Sequence, residues 1–262
     1  MAPLRDWPEE ARRGIAGVFT DIDDTLTTEG AITDDALAAL GALRAAGLHL
    51  IPITGRPVGW SEPFALTWPV DAIVAENGAV ALVRQADGSL RKLYQQPPAE
   101  RSANFSRMQQ VLARIEREIP GARRSQDSPG RETDIAVDHS EFTRLPQEAI
   151  DQVVALMRSE GMNATVSSIH INGWYGGHHK LAGARWIVRE LLGIALDRQL
   201  DRWAYVGDST NDVLMFKHFP HSIGVANIRR FEAQLSHPPR YVTDGERGAG
   251  FAEVAQALLS VR

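Results

Sequence analysis

Short apolar runs alternate with amphipathic segments along the chain, and the runs end in polar residues. The first run, near Val18 and Phe19, leads into Asp21; the second, near Leu48 to Ile53, leads into Thr54; and a later one leads from Trp203 to Asp208. Alternation of buried strands with helical segments is typical of a parallel sheet with helices on both faces. We therefore predict an α/β fold, a doubly wound parallel sheet with a smaller inserted α/β unit.

Helix signals fit between these strands. Thr33 has the chemistry of an N-cap, and Gly47 that of a C-terminal stop. Between them, Leu37, Leu40 and Leu43 are predicted to form the buried side of the helix.

The pattern changes in the middle of the chain. Asp87-Gly88 predicts a hairpin, an amphipathic helix is expected over about 100 to 118 with Phe105 on its inner face, and another helix begins after Pro146. These segments lack the acidic or glycine-rich strand ends of the flanking sequence. We therefore predict a discontinuous core, residues 1–83 and 174–262, with a cap domain inserted at residues 84–173.

Composition narrows the function classes. The 262 residues carry a net charge of −5 with no basic run, which argues against nucleic acid or an anionic membrane as a partner. The chain has no cysteine, so thiolate chemistry is excluded. Residues 1–13 contain no apolar stretch of signal-peptide or membrane length, and we expect a cytoplasmic protein. The oligomeric state is left open.

Polar groups following several strands can converge at one sheet edge. They are the carboxylates of Asp21, Asp23, Asp208 and Asp212, the donors of Thr54, Gly55 and Asn211, and the amine of Lys180. A carboxylate can act as a nucleophile, a second as acid and base, and a divalent metal with a lysine can neutralise a phosphate. Taken alone, each acid is explained better by an ordinary surface turn or helix cap; together they favour phosphoryl transfer.

The same residues resemble the motifs of the haloacid dehalogenase superfamily of aspartate-nucleophile phosphatases. Asp21-Ile-Asp-Asp-Thr-Leu-Thr27 is similar to the first motif, Ile53-Thr-Gly-Arg56 to the second, Lys180 to the third, and Gly207-Asp-Ser-Thr-Asn-Asp212 to the fourth. The long interval between Thr54 and Lys180 resembles the subgroup with a cap between the second and third motifs, which includes Cof-type, sucrose-phosphate and mannosyl-phosphoglycerate phosphatases. Two departures stand out: Asp24 replaces the usual glycine, and Leu181 follows the lysine.

The resemblance implies a role for each matched residue. Asp21 is the expected nucleophile, Asp23 the acid and base with its backbone carbonyl on Mg²⁺, and Asp208 the second protein ligand of the metal. Asp212 is expected to support the metal's waters or Lys180. Thr54, Gly55, Lys180 and Asn211 are expected to bind the phosphoryl group of a small phosphate ester, most simply a sugar or glycosyl phosphate.

Residues near the predicted domain junction are candidates for substrate specificity. They are Arg56, Asn77, His170, Asn172, Trp174 and His178. Hinge packing explains Asn172 and Trp174 as well as sugar binding does, and histidines at this spacing without flanking acids do not favour zinc.

Two other functions use similar residues. A phosphosugar mutase would form the same aspartyl-phosphate but return the phosphoryl group to a sugar. A phospho-accepting signalling receiver also combines acids, a threonine and a lysine, although the large insert argues against it.

Overall fold

The computed structural model describes residues 1–262. Its strands are β1 (Ala2–Pro3), β2 (Gly17–Thr20), β3 (Thr27–Thr28), β4 (Ala31–Ile32), β5 (His49–Pro52), β6 (Ile73–Ala75), β7 (Val80–Arg84), β8 (Leu90–Tyr94), β9 (Arg123–Arg124), β10 (Ile135–Asp138), β11 (Asn163–Val166), β12 (His170–Trp174), β13 (Trp203–Gly207), β14 (His221–Gly224) and β15 (Tyr241–Val242). Its α-helices are α1 (Glu9–Gly14), α2 (Asp34–Ala45), α3 (Val58–Thr67), α4 (Pro98–Glu118), α5 (Gln147–Ser159), α6 (Lys180–Leu192), α7 (Val213–His218) and α8 (Arg247–Leu259).

The central sheet confirms the predicted α/β class. Its six strands run in the order β1-β15-β14-β13-β2-β5, and every pairing in it is parallel. Side chains of β2 alternate between two hydrophobic cores, with Val18 in one and Phe19 in the other. Burial on both faces explains why these strands are continuous apolar runs.

The order of the sheet determines where ligands can bind. From β2 the chain continues to β5 on one side, and β13 pairs with β2 on the other. The carboxyl ends of β2 and β13 therefore flank a topological switch point, where α/β sheets bind ligands. Asp21 and Asp208 directly follow these two strands.

A second unit, here called the insert, consists of α4, α5 and the sheet β11-β12-β10-β9. It has its own hydrophobic core, which includes Met108 of α4, Val153 of α5 and Ile171 of β12. Strand β8, assigned to the cap from the sequence, pairs with β7, which in turn pairs with β6. The Asp87-Gly88 turn joins β7 to β8 as the hairpin pattern predicted.

Two details of the helix faces were predicted wrongly. Leu37 and Phe105 are 38% and 37% exposed, and Ala36 with Leu40 and Leu43 buries the inner side of α2. Periodicity identified both helices, but it could not decide which of several apolar side chains at the edge of the stripe is covered. No helix combines the length and apolar character that crossing a membrane requires.

Candidate active site

Three carboxylates meet where β2 and β13 end. The Asp21 amide donates to the Val206 carbonyl at 2.8 Å, which fixes Asp21 beside the carboxyl end of β13. Carboxylate oxygens of Asp21, Asp208 and Asp212 lie within 4.8 Å of one another, and all three side chains are buried. Such proximity is unfavourable unless positive charge compensates it.

Lys180 supplies part of that charge. Its Nζ donates to Asp21 Oδ1 and to Asp212 Oδ1, each at 2.7 Å, and the side chain is buried. The lysine is the first residue of α6, and α6 packs closely on the turn after β6: a Cβ on Gly183 would lie 2.7 Å from the Gly78 Cα. Glycine at both positions allows the helix to approach near enough for Lys180 to reach the carboxylates.

Asp212 is held on all sides. Its Oδ1 accepts from Lys180 and from the Tyr205 hydroxyl, and its Oδ2 accepts from the amides of Asp208 and Ser209 at 3.0 and 3.3 Å. The sequence reasoning missed Tyr205, which lies in an apolar strand and carried no motif signal. With four donors engaged, Asp212 is a fixed anion that orients Lys180.

Asp208 is the less satisfied acid. Its Oδ2 accepts from Asn227 Nδ2 at 3.1 Å, whereas its buried Oδ1 has no hydrogen-bond partner. Asn227 was also missed, because it follows β14 far from the recognised motifs. An orphaned carboxylate oxygen is costly in a buried site, and an oxygen-seeking cation would satisfy it.

The pKa values of the acids in this cluster also indicate a need for additional positive charge. Burial, and then the neighbouring acids Asp212 and Asp23, raise the pKa of Asp21 to about 7 despite Lys180. Burial and the charges of Asp21 and Asp212 also raise the pKa of Asp208 well above its usual range. Three carboxylates and one ammonium leave a formal charge of −2, so the residues present fit a divalent cation such as Mg²⁺.

Asp23 lies apart from this cluster, paired with Arg56. Arg56 Nε donates to both oxygens of Asp23, at 2.9 and 3.0 Å. The guanidinium also binds two acids of the insert, Asp127 at 3.3 Å and Glu141 at 2.7 Å. His170 Nε2 lies 2.8 Å from the second oxygen of Glu141. Neither insert acid carried a sequence signal, since both lie in polar loops.

The loop after β5 forms the opposite wall. Thr54 is fully buried, and its Oγ1 accepts from the Arg56 amide at 3.0 Å. The Gly55 carbonyl accepts from Arg131 and Asn172 of the insert, at 3.0 and 3.3 Å. The insert is thus hydrogen-bonded to the loop that was predicted from the sequence to bind the phosphoryl group.

Polar donors border a cavity of about 330 Å³ beside this loop. Asn77 Nδ2 is buried and unpartnered, and Lys180 and Asn211 line the same space together with Thr165 and Trp174 of the insert. The unpartnered Asn77 amide, together with the ammonium of Lys180 that also donates to Asp21 and Asp212, is suited to an anionic oxygen.

A second cavity, about 320 Å³, opens on the Asp23 side. Its lining includes Asp23, Asp24, Glu29, Arg56, Glu141 and Arg247. Both arginines already face carboxylates, because Arg56 binds Asp23, Asp127 and Glu141, and Arg247 Nε lies 3.0 Å from Asp24. Exposed Phe142 of the insert adds an apolar surface.

Asp24, the departure from the usual glycine, has a backbone reason. Its φ is +54°, in the left-handed region that glycine adopts freely and that aspartate tolerates better than most residues. The Asp24 carbonyl accepts from Asn227 at 3.0 Å. The turn geometry thus accommodates an aspartate, whose side chain holds Arg247 at the cavity.

The aromatic and histidine candidates lie mainly at the junction. Trp174 Nε1 donates to the His178 carbonyl at 2.8 Å, and the two rings stack with centroids 5.5 Å apart. Burial lowers the pKa of His178 to about 4. The packing of Trp174 on His178 matches the hinge interpretation, although Trp174 also borders the cavity beside Lys180.

Comparison with known proteins finds a family model that matches part of the chain and a relative that matches most of it. The family model of haloacid dehalogenase-like hydrolases matches residues 18–110. A phosphoglycolate phosphatase from Pyrobaculum neutrophilum is 26% identical over 252 residues, which cover 94% of this chain and 97% of the relative.

Solved structures share the fold over nearly the whole chain. A Thermoplasma acidophilum protein is 18% identical, with a TM-score of 0.70, over 95% of this chain and 99% of its own. The sucrose-phosphatase of Synechocystis, solved with sucrose and phosphate, is 15% identical with a TM-score of 0.65, over 94% of this chain and 98% of its own.

Proposed function

We propose that the chain is a magnesium-dependent phosphatase of the haloacid dehalogenase-like hydrolases, and that it hydrolyses a small sugar or glycosyl phosphate through an aspartyl-phosphate. The observation that carries the proposal is Lys180, buried between Asp21 and Asp212 beside the orphaned oxygen of Asp208.

Asp21 is the proposed nucleophile. A carboxylate oxygen of Asp21 forms a bond to phosphorus while the bond from phosphorus to the ester oxygen breaks. Lys180 lies 2.7 Å from Asp21, where its charge offsets repulsion between the two anions. Water then attacks the aspartyl-phosphate, which releases inorganic phosphate and restores the carboxylate.

Thr54, the Gly55 amide, Lys180 and Asn211 are proposed to bind the phosphoryl oxygens. The Gly55 amide donates to no protein acceptor, and Asn211 Oδ1 is engaged by Ser209 at 2.9 Å, which leaves its Nδ2 for a ligand. Asn77 Nδ2 is a further donor, unpartnered and buried beside the same loop.

Asp21, Asp208 and the Asp23 backbone carbonyl are proposed to hold Mg²⁺, with Asp212 supporting Lys180 rather than binding the metal directly. When bound, the ion would offset the negative charge of the cluster and of the phosphate. Asp23 is the proposed acid and base: it protonates the departing oxygen and later takes a proton from the attacking water.

The insert is proposed to act as a cap. Its boundaries are placed near residues 97 and 175, because β8 pairs with β7 of the core and not with the sheet of the insert. Its contacts with Gly55 and Arg56 close the site from bulk water. The Asp23 cavity favours an uncharged leaving group, since Arg56 is bound to carboxylates, Arg247 lies beside Asp24, and four of the lining residues are acids. This supports a sugar over a carboxylate.

Phosphate release from matched esters tests the proposal. We expect glucose 6-phosphate to be hydrolysed with a higher kcat/KM than 6-phosphogluconate, which bears a carboxylate, and 2-phosphoglycolate to be poor. Asp21→Asn should abolish release while the circular-dichroism spectrum and Tm stay close to wild type.

Several outcomes would contradict the proposal. Steady release of phosphate by the Asp21→Asn variant would refute the assignment of Asp21 as the nucleophile. A strong preference for the carboxylates would overturn the leaving-group assignment. Isomerised sugar phosphate without free phosphate would identify the mutase.

A further inference from the structure

One arginine joins the proposed acid of the core to two acids of the insert. The Arg56 side chain is 5% exposed and makes four hydrogen bonds: Nε donates to both oxygens of Asp23, and the two terminal nitrogens donate to Asp127 and Glu141. The Arg56 backbone amide donates to Thr54 Oγ1. Its guanidinium carbon also lies 4.9 Å from the Trp60 ring centroid. Each of the three guanidinium nitrogens therefore has a carboxylate partner.

The geometry leaves Asp23 little freedom. Donation from one Nε to both carboxylate oxygens fixes the rotation of the carboxylate as well as its position. Arg56 in turn depends on the insert, because two of its three carboxylate partners, Asp127 and Glu141, come from there. Glu141 is itself held by His170 at 2.8 Å and by the Asp138 carboxylate, which accepts from the Glu141 amide at 2.9 Å.

We propose that Glu141 and Asp127 are positioning residues for general acid catalysis, acting through Arg56 on Asp23. The carboxylate is set for proton transfer only when the insert is seated and its two acids hold the guanidinium. The inference rests on the proposed function. Under this proposal Arg56 and His170, two candidates for substrate specificity, instead help to position Asp23.

A purely structural role for Glu141 would give a different dependence of the rate on the substrate. If Glu141 only fastened the insert to the core, its loss would slow every substrate by a similar factor. If it positions Asp23, the loss depends on the leaving group, because an alkoxide must be protonated as it departs whereas a nitrophenolate departs without a proton.

The test compares two esters in Glu141→Gln, a change that keeps the shape of the side chain. We expect the kcat/KM ratio of glucose 6-phosphate to p-nitrophenyl phosphate to fall about tenfold, a part of the roughly 10²- to 10⁴-fold that acid catalysis contributes. Glu148→Gln, an exposed glutamate of α5, is the matched control and should leave the ratio unchanged.

A double variant shows whether the effect passes through Arg56. In an Arg56→Met background, Glu141→Gln should change the ratio by less than twofold, because the connecting guanidinium is gone. Equal losses on both esters, or full additivity with Arg56→Met, would overturn the proposal. Wild-type protein inactive on both esters would instead refute the phosphatase function itself, so the two failures are distinguishable.

Discussion

Replacing Asp208 with asparagine should make the metal-free protein more stable while removing its response to Mg²⁺. Asp208 is 1% exposed, lies beside two other carboxylates, and has one oxygen without any partner. In the absence of a metal it destabilises the folded state, either by carrying its charge or by taking up a proton. An asparagine keeps an acceptor for Asn227 and presents an NH₂ donor to the neighbouring acids.

The size of the effect follows from the charges. Two carboxylates within 4.8 Å oppose Asp208, and Lys180 attracts it, so the balance is about one repulsive pair. Such a pair contributes at most about 4 kcal/mol at an effective dielectric constant near 20, and relaxation reduces that. We expect Asp208→Asn to raise the free energy of unfolding by about 2 kcal/mol in chelator, roughly 4–8 °C in Tm.

Thermal unfolding with EDTA and with Mg²⁺ measures both effects. Wild type should gain about 1.4 kcal/mol when Mg²⁺ is present at ten times its dissociation constant, because only the folded state assembles the ligands. Asp208→Asn should gain almost nothing. The exposed Asp151→Asn, on α5, is the control and should behave as wild type in both conditions.

The reasoning fails if Asp208→Asn unfolds at a lower temperature than wild type in EDTA, since the carboxylate would then be stabilising. It also fails if Mg²⁺ raises the Tm of the two proteins equally, because the ion would be bound elsewhere.

Two further predictions concern pH and the motif turn. Burial raises the pKa of Asp21 from 3.8 to about 7, so the folded state retains a proton that the unfolded chain releases. In EDTA the free energy of unfolding of wild type, measured relative to Asp21→Asn, should therefore fall as the pH rises from 5 to 8, by at most about 1.4 kcal/mol per pH unit, and a difference that rises over this range would contradict the prediction. Asp24→Gly should change stability by less than about 1 kcal/mol, because glycine adopts a φ of +54° freely, whereas Asp24→Val should cost at least about 1–2 kcal/mol; equal urea midpoints for the two variants would refute the backbone explanation.

Sequence reasoning located the carboxyl ends of the strands because the chemistry there is local. Asp21 and Asp208 each follow an apolar run, and a parallel sheet brings such ends to one edge. Lys180 was found for a similar reason, as a polar residue that opens a strongly periodic helix. In each case the residue and its structural cue lie within a few positions of one another.

Residues that complete the site but lie far from the motifs along the chain carried no such sequence signal. Tyr205 reads as one more apolar strand residue, and Asn227 lies in a polar segment after β14, yet they donate to Asp212 and Asp208. Asp127 and Glu141 are 71 and 85 positions from their common partner, Arg56. Periodicity and capping describe neighbours along the chain, so contacts across that separation depend on how the insert sits on the core.

The turn after β6 connects the position of the insert on the core to the residues proposed to bind the phosphoryl group. Glu76 and Asn77 both have left-handed backbones, with φ of +49° and +55°, and Gly78 follows at +108°. Strain of this kind persists only when surrounding contacts over-determine it. The buried Glu76 carboxylate provides them, since it accepts from the amides of Val58, Glu132 and Thr133 and from the Thr133 hydroxyl.

Glu132 and Thr133 belong to the insert, so one core carboxylate binds both the insert and the start of α3. The same turn directs the unpartnered Asn77 amide toward Gly55 and brings Gly78 against α6, which carries Lys180. A displacement of the insert would remove two of the groups that hold this turn, and with them the placement of Asn77 and Lys180. The phosphoryl-binding donors and the seating of the insert therefore depend on one another through Glu76.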